Sequence, residues 1–226
     1  MGNIDPVEDW GTHAEREGRR YRDGEARIDE STDGDTRQRQ LTRMANAAWG
    51  AGLSHLMLED ASAAAAWFDR AAARYRESFE EAPPGSWGRP IGAMKARILA
   101  GEWERAAEEA RWALDAGAAD AESPIGRYAA ALANLILGED EEARAHADAI
   151  RTRDDFPAAV GDALAMIAAG TDAIGYVEAI ETVLESFETR DEHLEDVPVA
   201  DTVLVLKALA ERRGLRAELS SPLLPI

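Results

Sequence analysis

One short turn recurs along this chain, and its surroundings recur with it. The segments Leu58-Glu-Asp-Ala, Ala100-Gly-Glu-Trp-Glu-Arg-Ala, Leu137-Gly-Glu-Asp-Glu-Glu-Ala and Ala169-Gly-Thr-Asp-Ala resemble one another. Aligning Gly101 with Gly138 also aligns Ala106 with Ala143 and Ala110 with Ala147. The physical sense is that glycine permits a tight turn, an acid caps the helix that follows, and small alanines let two helices approach closely. A chain written this way is constrained to fold as a series of helical hairpins.

Apolar spacing supports that constraint. Leu41, Ala45, Ala48, Gly52 and Leu56 share one helical stripe, and Ala64, Trp67, Phe68, Ala71, Tyr75 and Phe79 form another at steps of three and four. The same period carries through Ile91–Ile98, Trp103–Leu114, Tyr128–Leu135, Val160–Ile167, Val177–Phe187 and Val203–Ala210. Ser123-Pro124 and Phe156-Pro157 place proline at a first helical turn, and Gly214 is a stop after Arg212 and Arg213. Thr202-Val-Leu-Val-Leu206 has strand propensity but would have no pairing partner, so it reads as helix. The prediction is an all-α chain of eight helices in four antiparallel hairpins, followed by a final helix. Residues 1–35 read as a polar segment: a loosely attached helix, with Val7 and Trp10 as its main apolar anchors, then an acidic loop over 29–35. Residues 36–226 read as one helical domain.

The turn spacing from Gly101 to Gly138 is 37 residues and from Gly138 to Gly170 is 32. With Trp103 following its turn and Ala106 and Ala113 at small positions, the stretch from Thr36 to Arg190 resembles a tetratricopeptide-type array, whose units are about 34 residues long. The resemblance implies a right-handed stack whose first helices line a concave face; an irregular helical bundle is the alternative. The last 60 or so residues carry a second resemblance. A hairpin over Gly170–Phe187, a helix from Asp201, Arg212-Arg213-Gly214-Leu215 and Glu218-Leu-Ser-Ser-Pro-Leu-Leu-Pro225 are similar to the ending of an all-helical family of bacterial polymorphic-toxin immunity proteins, number forty-nine in that series.

Charge describes the solvent more than the fold. The chain of 226 residues carries 44 Asp and Glu against 25 Lys and Arg, a net −19, and its only lysines are Lys95 and Lys207. An excess of carboxylates with almost no lysine resembles the proteins of salt-in halophiles, and implies that the chain loses helix in low salt. Such acidity favours solubility and does not by itself imply a basic ligand. There is no cysteine, which excludes disulfides and thiolate metal sites. Met1–Trp10 is acidic without an apolar run, and Tyr128–Gly138 is too short to span a bilayer. The expectation is a cytoplasmic protein with no membrane contact.

No motif for catalysis emerges. His13, His55, His146 and His193 fall in separate segments without i+3 or i+4 neighbours, so no metal site is expected. No phosphate-cradling glycine loop or nucleophile elbow is present. Asp29, Ser31, Asp33 and Gly34 echo the start of a calcium loop, but Gln40 stands where a bidentate glutamate is needed. No enzyme activity and no cofactor are expected.

The sharper pattern is the placement of charge. The expected first helices, 36–57, 86–100, 123–138 and 157–169, carry Arg37, Arg39, Arg43, Arg89, Lys95, Arg97 and Arg127 against Asp162 alone, while the second helices hold the acids. Two readings stand side by side: a basic concave groove for an acidic or carboxylate-bearing protein segment, or first helices that carry few charges because they are more buried. On the groove reading, Arg43, Arg89, Lys95, Arg97 and Arg127 bind the partner. Trp87, in a proline-rich loop outside any stripe, is the expected exposed aromatic and the sixth residue expected to bind the partner. The function expected is a non-enzymatic protein-interaction module. The alternatives are a toxin-neutralising immunity protein, with a toxin domain as partner, and a nucleic-acid-binding helical repeat, disfavoured because salt weakens phosphate contacts. Self-association into a homo-oligomer stays open.

Overall fold

A computed structural model describes residues 9–28, 33–190 and 192–226. These residues form ten α-helices: α1 (Trp10–Ile28), α2 (Gly34–Met57), α3 (Ala61–Phe79), α4 (Gly88–Leu99), α5 (Trp103–Asp115), α6 (Pro124–Leu137), α7 (Asp140–Arg151), α8 (Ala158–Ala169), α9 (Ala173–Glu188) and α10 (Asp201–Glu211). Two single 3-10 turns, Ala118–Asp120 and Leu194–Asp196, interrupt the loops. Among the described residues there is no strand, and each helix from α1 to α9 packs on the next in sequence. The chain is an all-α helical array. No helix among the described residues is long and apolar enough to cross a membrane. The start of the acidic loop, and with it Asp29 and Ser31, lies outside the described residues, as does Val7.

The recurrent turns have a common cause. Gly101, Gly138 and Gly170 take φ of +74°, +83° and +67°, the left-handed region that side chains disfavour. Beyond them Ala106, Ala110, Ala143 and Ala147 are fully buried, so successive helices close to alanine distance. The expected capping acids divide. Asp60 and Asp172 accept from Ala63 N (3.0 Å) and Gly175 N (2.8 Å). Glu102 and Glu139 cap nothing through their side chains. The longer glutamate at 102 instead reaches Arg97 (2.8 Å) and Arg105 (3.1 Å). Ser123 caps α6 through Gly126 N (3.2 Å), with Pro124 at the first helical position.

The expectation of a loosely attached first helix is corrected. α1 lies along α2, and Glu17 at its centre is 0% exposed, held by Arg16 and Arg20 at 2.8 Å each. Gly50 makes room for it: a Cβ there would lie 3.1 Å from Glu17 Cγ. Tyr21 and Ala14 are also buried. The polar composition of α1 concealed a packed face whose central residue is a neutralised acid.

The C-terminal segment decides the architecture. Residues 197–199 lay Val197 and Val199 into the core formed by α1–α4. α10 then packs against α4, α8 and α9. Its Val203, Val205, Leu206 and Leu209 are wholly buried, each contributing roughly 1.5–3 kcal/mol. Ala200 N donates to Leu223 O (2.9 Å), folding the tail back so that Leu223 and Leu224 are buried too. Arg213, just past α10, donates to Leu135 O (2.8 Å) and pairs with Asp140 at the α6–α7 turn. The side of the array made by first helices is thus closed by the chain itself.

Candidate functional site

The six residues expected to form a partner-binding surface do not share one. Lys95, on α4, is 8% exposed and points at α10: its Nζ donates to Asp201 Oδ2 (2.5 Å) and Thr202 Oγ1 (3.1 Å), with the Trp49 ring 5.4 Å away. Burial alone would lower its pKa, but the facing Asp201 carboxylate outweighs this and raises it. Arg97, two residues on and so on the opposite side of α4, is 3% exposed and turned toward the second helices, where Asp69 (2.5 Å), Glu102 (2.8 Å) and Glu109 (3.8 Å) surround it.

Trp87 is not the exposed aromatic expected of its loop. It is 9% exposed, with its ring 6.1 Å from that of Phe79. Gly126 leaves the notch it occupies: a Cβ there would meet the indole Nε1 at 2.9 Å. Arg89 is half-buried and donates to the Gln38 side-chain oxygen. Its burial pushes the guanidinium pKa down. Arg127 is half-buried close to His146, whose pKa falls through burial and that neighbouring charge. Arg43 alone is exposed, in a small 210 Å³ recess between α1 and α2 shared with Arg20, Asp23, Arg27 and Gln40. The continuous arginine-bearing groove is therefore corrected. The first helices carry few acids because second helices cover one side of them and the C-terminal segment covers the other.

What the closed face leaves open is a cleft of about 430 Å³ where α6, α8 and α10 begin and α9 ends. Ile125 and Tyr128 come from α6, Phe156 from the turn before α8 and Val160 from its first turn, Phe187 from the end of α9 and Arg190 from just beyond it, and Thr202 from α10. The walls are mainly apolar, and Ile125 is 40% exposed at the mouth. Thr202, which accepts from Lys95, places the Lys95–Asp201 pair directly behind the lining. The Tyr128 hydroxyl is buried and has no hydrogen-bond partner. Burial raises its pKa, so it stays a neutral O–H.

Comparison with protein-family models, with curated proteins and with solved structures finds no match to the chain.

A wider recess of about 620 Å³ lies between α9 and the tail, lined by Glu178, Glu181, Glu185, Glu188 and Glu218. None of its lining residues is basic, and its character is that of a hydrated acidic surface. Among the described residues no three His, Asp or Glu side chains converge as metal ligands. Sequence reasoning missed Tyr128, Phe187, Arg190 and Thr202 as a group. No separate signal for the group stood in the sequence: Ile125 stands three residues before Tyr128, in step with Leu132 and Leu135, and so reads as core although it is 40% exposed.

Proposed function

We propose that the chain is a non-catalytic protein-interaction module, and that a partner polypeptide enters the cleft at the ends of α6, α8, α9 and α10. One observation carries this reading. On the first-helix side α10 packs against α4 and α8, and beside it four helix ends leave an open, apolar-walled cleft. Concave, largely apolar clefts of about 300–1,000 Å³ with a few convergent polar groups are the usual form of a site for a small ligand, and this one is of a size to take one or two side chains of a partner. Neutralisation of a toxin domain is a special case of the same contact, and co-expression beside an adjacent toxin gene would test it.

A photo-crosslinking residue at Ile125 tests the reading, with the same residue at Leu58, exposed between α2 and α3, as control. In molar KCl the Ile125 probe is expected to give a discrete polypeptide adduct that vanishes with Val160→Arg, while the Leu58 probe gives none. Adducts alike at both positions, or unaffected by Val160→Arg in a folded protein, would defeat it.

A further inference from the structure

We infer that the cleft takes a bulky apolar side chain flanked by a carboxylate, so that its partner is an acidic-apolar polypeptide segment. This rests on the cleft being a partner-binding site and goes on to say what chemistry the partner presents.

The walls specify the apolar part. Ile125, Phe156, Val160 and Phe187 enclose a space open to solvent on one side, and an aliphatic or aromatic side chain placed there leaves water at both surfaces.

The charges around the cleft specify the rest. Asp155 lines the rim but is held in a two-point pair by Arg153, at 2.7 and 2.9 Å. Behind the floor, Lys95 and Asp201 match each other. Arg190 is unmatched. Its guanidinium stacks on the Phe187 ring, 3.7 Å from the centroid, and its hydrogen bonds go to the Ser186 carbonyl (3.1 Å) and hydroxyl (3.5 Å). Among the described residues it contacts no carboxylate, in a chain whose acids outnumber its bases by 19. Stacking fixes the plane of the guanidinium, which lowers the entropy lost when it grips a carboxylate.

Two further features agree in sign. α8 begins beside the cleft with neither a side-chain cap nor an acid in its first turn, so its first-turn N–H groups and the positive end of its dipole face that region uncompensated, whereas α10 carries Asp201 in its first turn. Tyr128, more than nine-tenths buried in the wall, carries an O–H with no acceptor. Among the described residues, each unmatched polar group lining the cleft can donate or carries positive charge, and the nearby carboxylates, Asp155 and Asp201, are already paired. A partner that brought a cation would meet Arg190 with nothing to offset it.

The test uses the full chain in molar KCl and a fluorescently labelled, C-terminally amidated hexapeptide with Leu-Glu at its centre. Three companions replace Leu by Ala, Glu by Gln, and Glu by Lys. Anisotropy is expected to rank the Leu-Glu peptide first, with the Gln companion weaker by about tenfold, as loss of one charge-assisted hydrogen bond implies. The Ala companion should also be weaker. Arg190→Glu, on an exposed side chain and checked for helix content by circular dichroism, should reverse the order so that the Lys companion binds best. Equal binding of Glu and Gln peptides, or no reversal in Arg190→Glu, overturns the acidic-partner inference. So does the failure of every peptide to bind while the Ile125 probe still captures its partner, an outcome that leaves the cleft reading itself intact. Failure of the crosslink removes the site altogether.

Discussion

Lys95 Nζ lies 2.5 Å from Asp201 Oδ2, joining residues 106 positions apart, and this contact pins the last helix to the middle of the array. Both side chains are largely withdrawn from water. Removing one partner from such a pair leaves the other charge buried alone, at a cost of about 3–5 kcal/mol, whereas replacing both by apolar groups is often neutral. Lys95→Met or Asp201→Asn alone is expected to lower the denaturation midpoint strongly in molar KCl, and Lys95→Met with Asp201→Leu to recover most of the loss. A double variant as unstable as either single one would show that the pair does not act as a unit.

The same pair gives stability a pH dependence. The folded pKa of Lys95 is raised above its ordinary value of 10.5, so its contribution is full below pH 10.5 and is lost as pH rises through the folded value. Tyr21, Tyr128 and Tyr176 act in the same sense, because burial raises each phenol and ionisation favours the unfolded chain. Urea midpoints are expected to hold level through neutral pH and to fall in the alkaline range above the ordinary lysine and tyrosine values. The Lys95→Met, Asp201→Leu variant should fall less steeply; an unchanged slope would mean that Lys95 takes no part.

Arg97 and Arg43 were alike in sequence and differ in cost. Arg97 stands among Asp69, Glu102 and Glu109, with Glu109 itself buried. Arg105 and Arg76 still reach those acids when Arg97 is gone. Arg97→Met should therefore cost about 3 kcal/mol, the lower end for a broken buried pair. Arg43→Gln, on the exposed surface, should fall within about 0.5 kcal/mol of the parent. Equal effects in chemical denaturation would contradict the burial assigned to Arg97.

The contrast shows where sequence reading stops. Periodicity located α2, α4, α6 and α8 with ends close to those observed, and the glycines marked the turns because positive φ is a local demand. An amphipathic stripe reports that a helix has a covered side and not what covers it. The scarcity of acids on first helices was therefore legible, but its cause, a C-terminal segment returning across the array, was not. Trp87 was misjudged for a related reason: the notch that receives it is made by Gly126, 39 positions later, and proline-rich surroundings resemble an exposed loop. The cleft was hidden most deeply, since its walls come from four separate helices and no one of them carries its pattern.

Helix contact at glycine distance gives a prediction of opposite signs. At Gly161 a Cβ would lie 2.9 Å from the backbone N and Cα of Arg151, where α7 and α8 meet, and backbone cannot swing aside. Gly161→Ala should cost about 1–3 kcal/mol as overpacking. Gly88 begins α4 with nothing within 4 Å of its added Cβ and no positive φ. Gly88→Ala should be neutral or should gain up to about 1 kcal/mol by restricting the unfolded chain. Thermal midpoints measured side by side check the pair, and a loss at Gly88 matching that at Gly161 would refute the close approach.

Salt should govern the whole array, and α9 shows why. Glu178, Glu181, Glu185 and Glu188 follow one face at three- and four-residue steps, with Glu218 across the recess from them. Like charges at that spacing oppose helix formation. In molar salt the Debye length is about 3 Å and the repulsion is short-ranged, while at 0.01 M it reaches about 30 Å and the stripe acts together with the rest of the net −19. Ion pairs such as Arg213–Asp140 strengthen over the same change. Their acids are already matched, however, and the excess carboxylates are not. Helical ellipticity is therefore expected to fall as KCl is lowered from molar to 0.01 M, and Glu181→Gln with Glu185→Gln to move the transition to lower salt. A signal constant across that range, or a transition that the double variant leaves in place, would show that self-repulsion on α9 does not limit the fold.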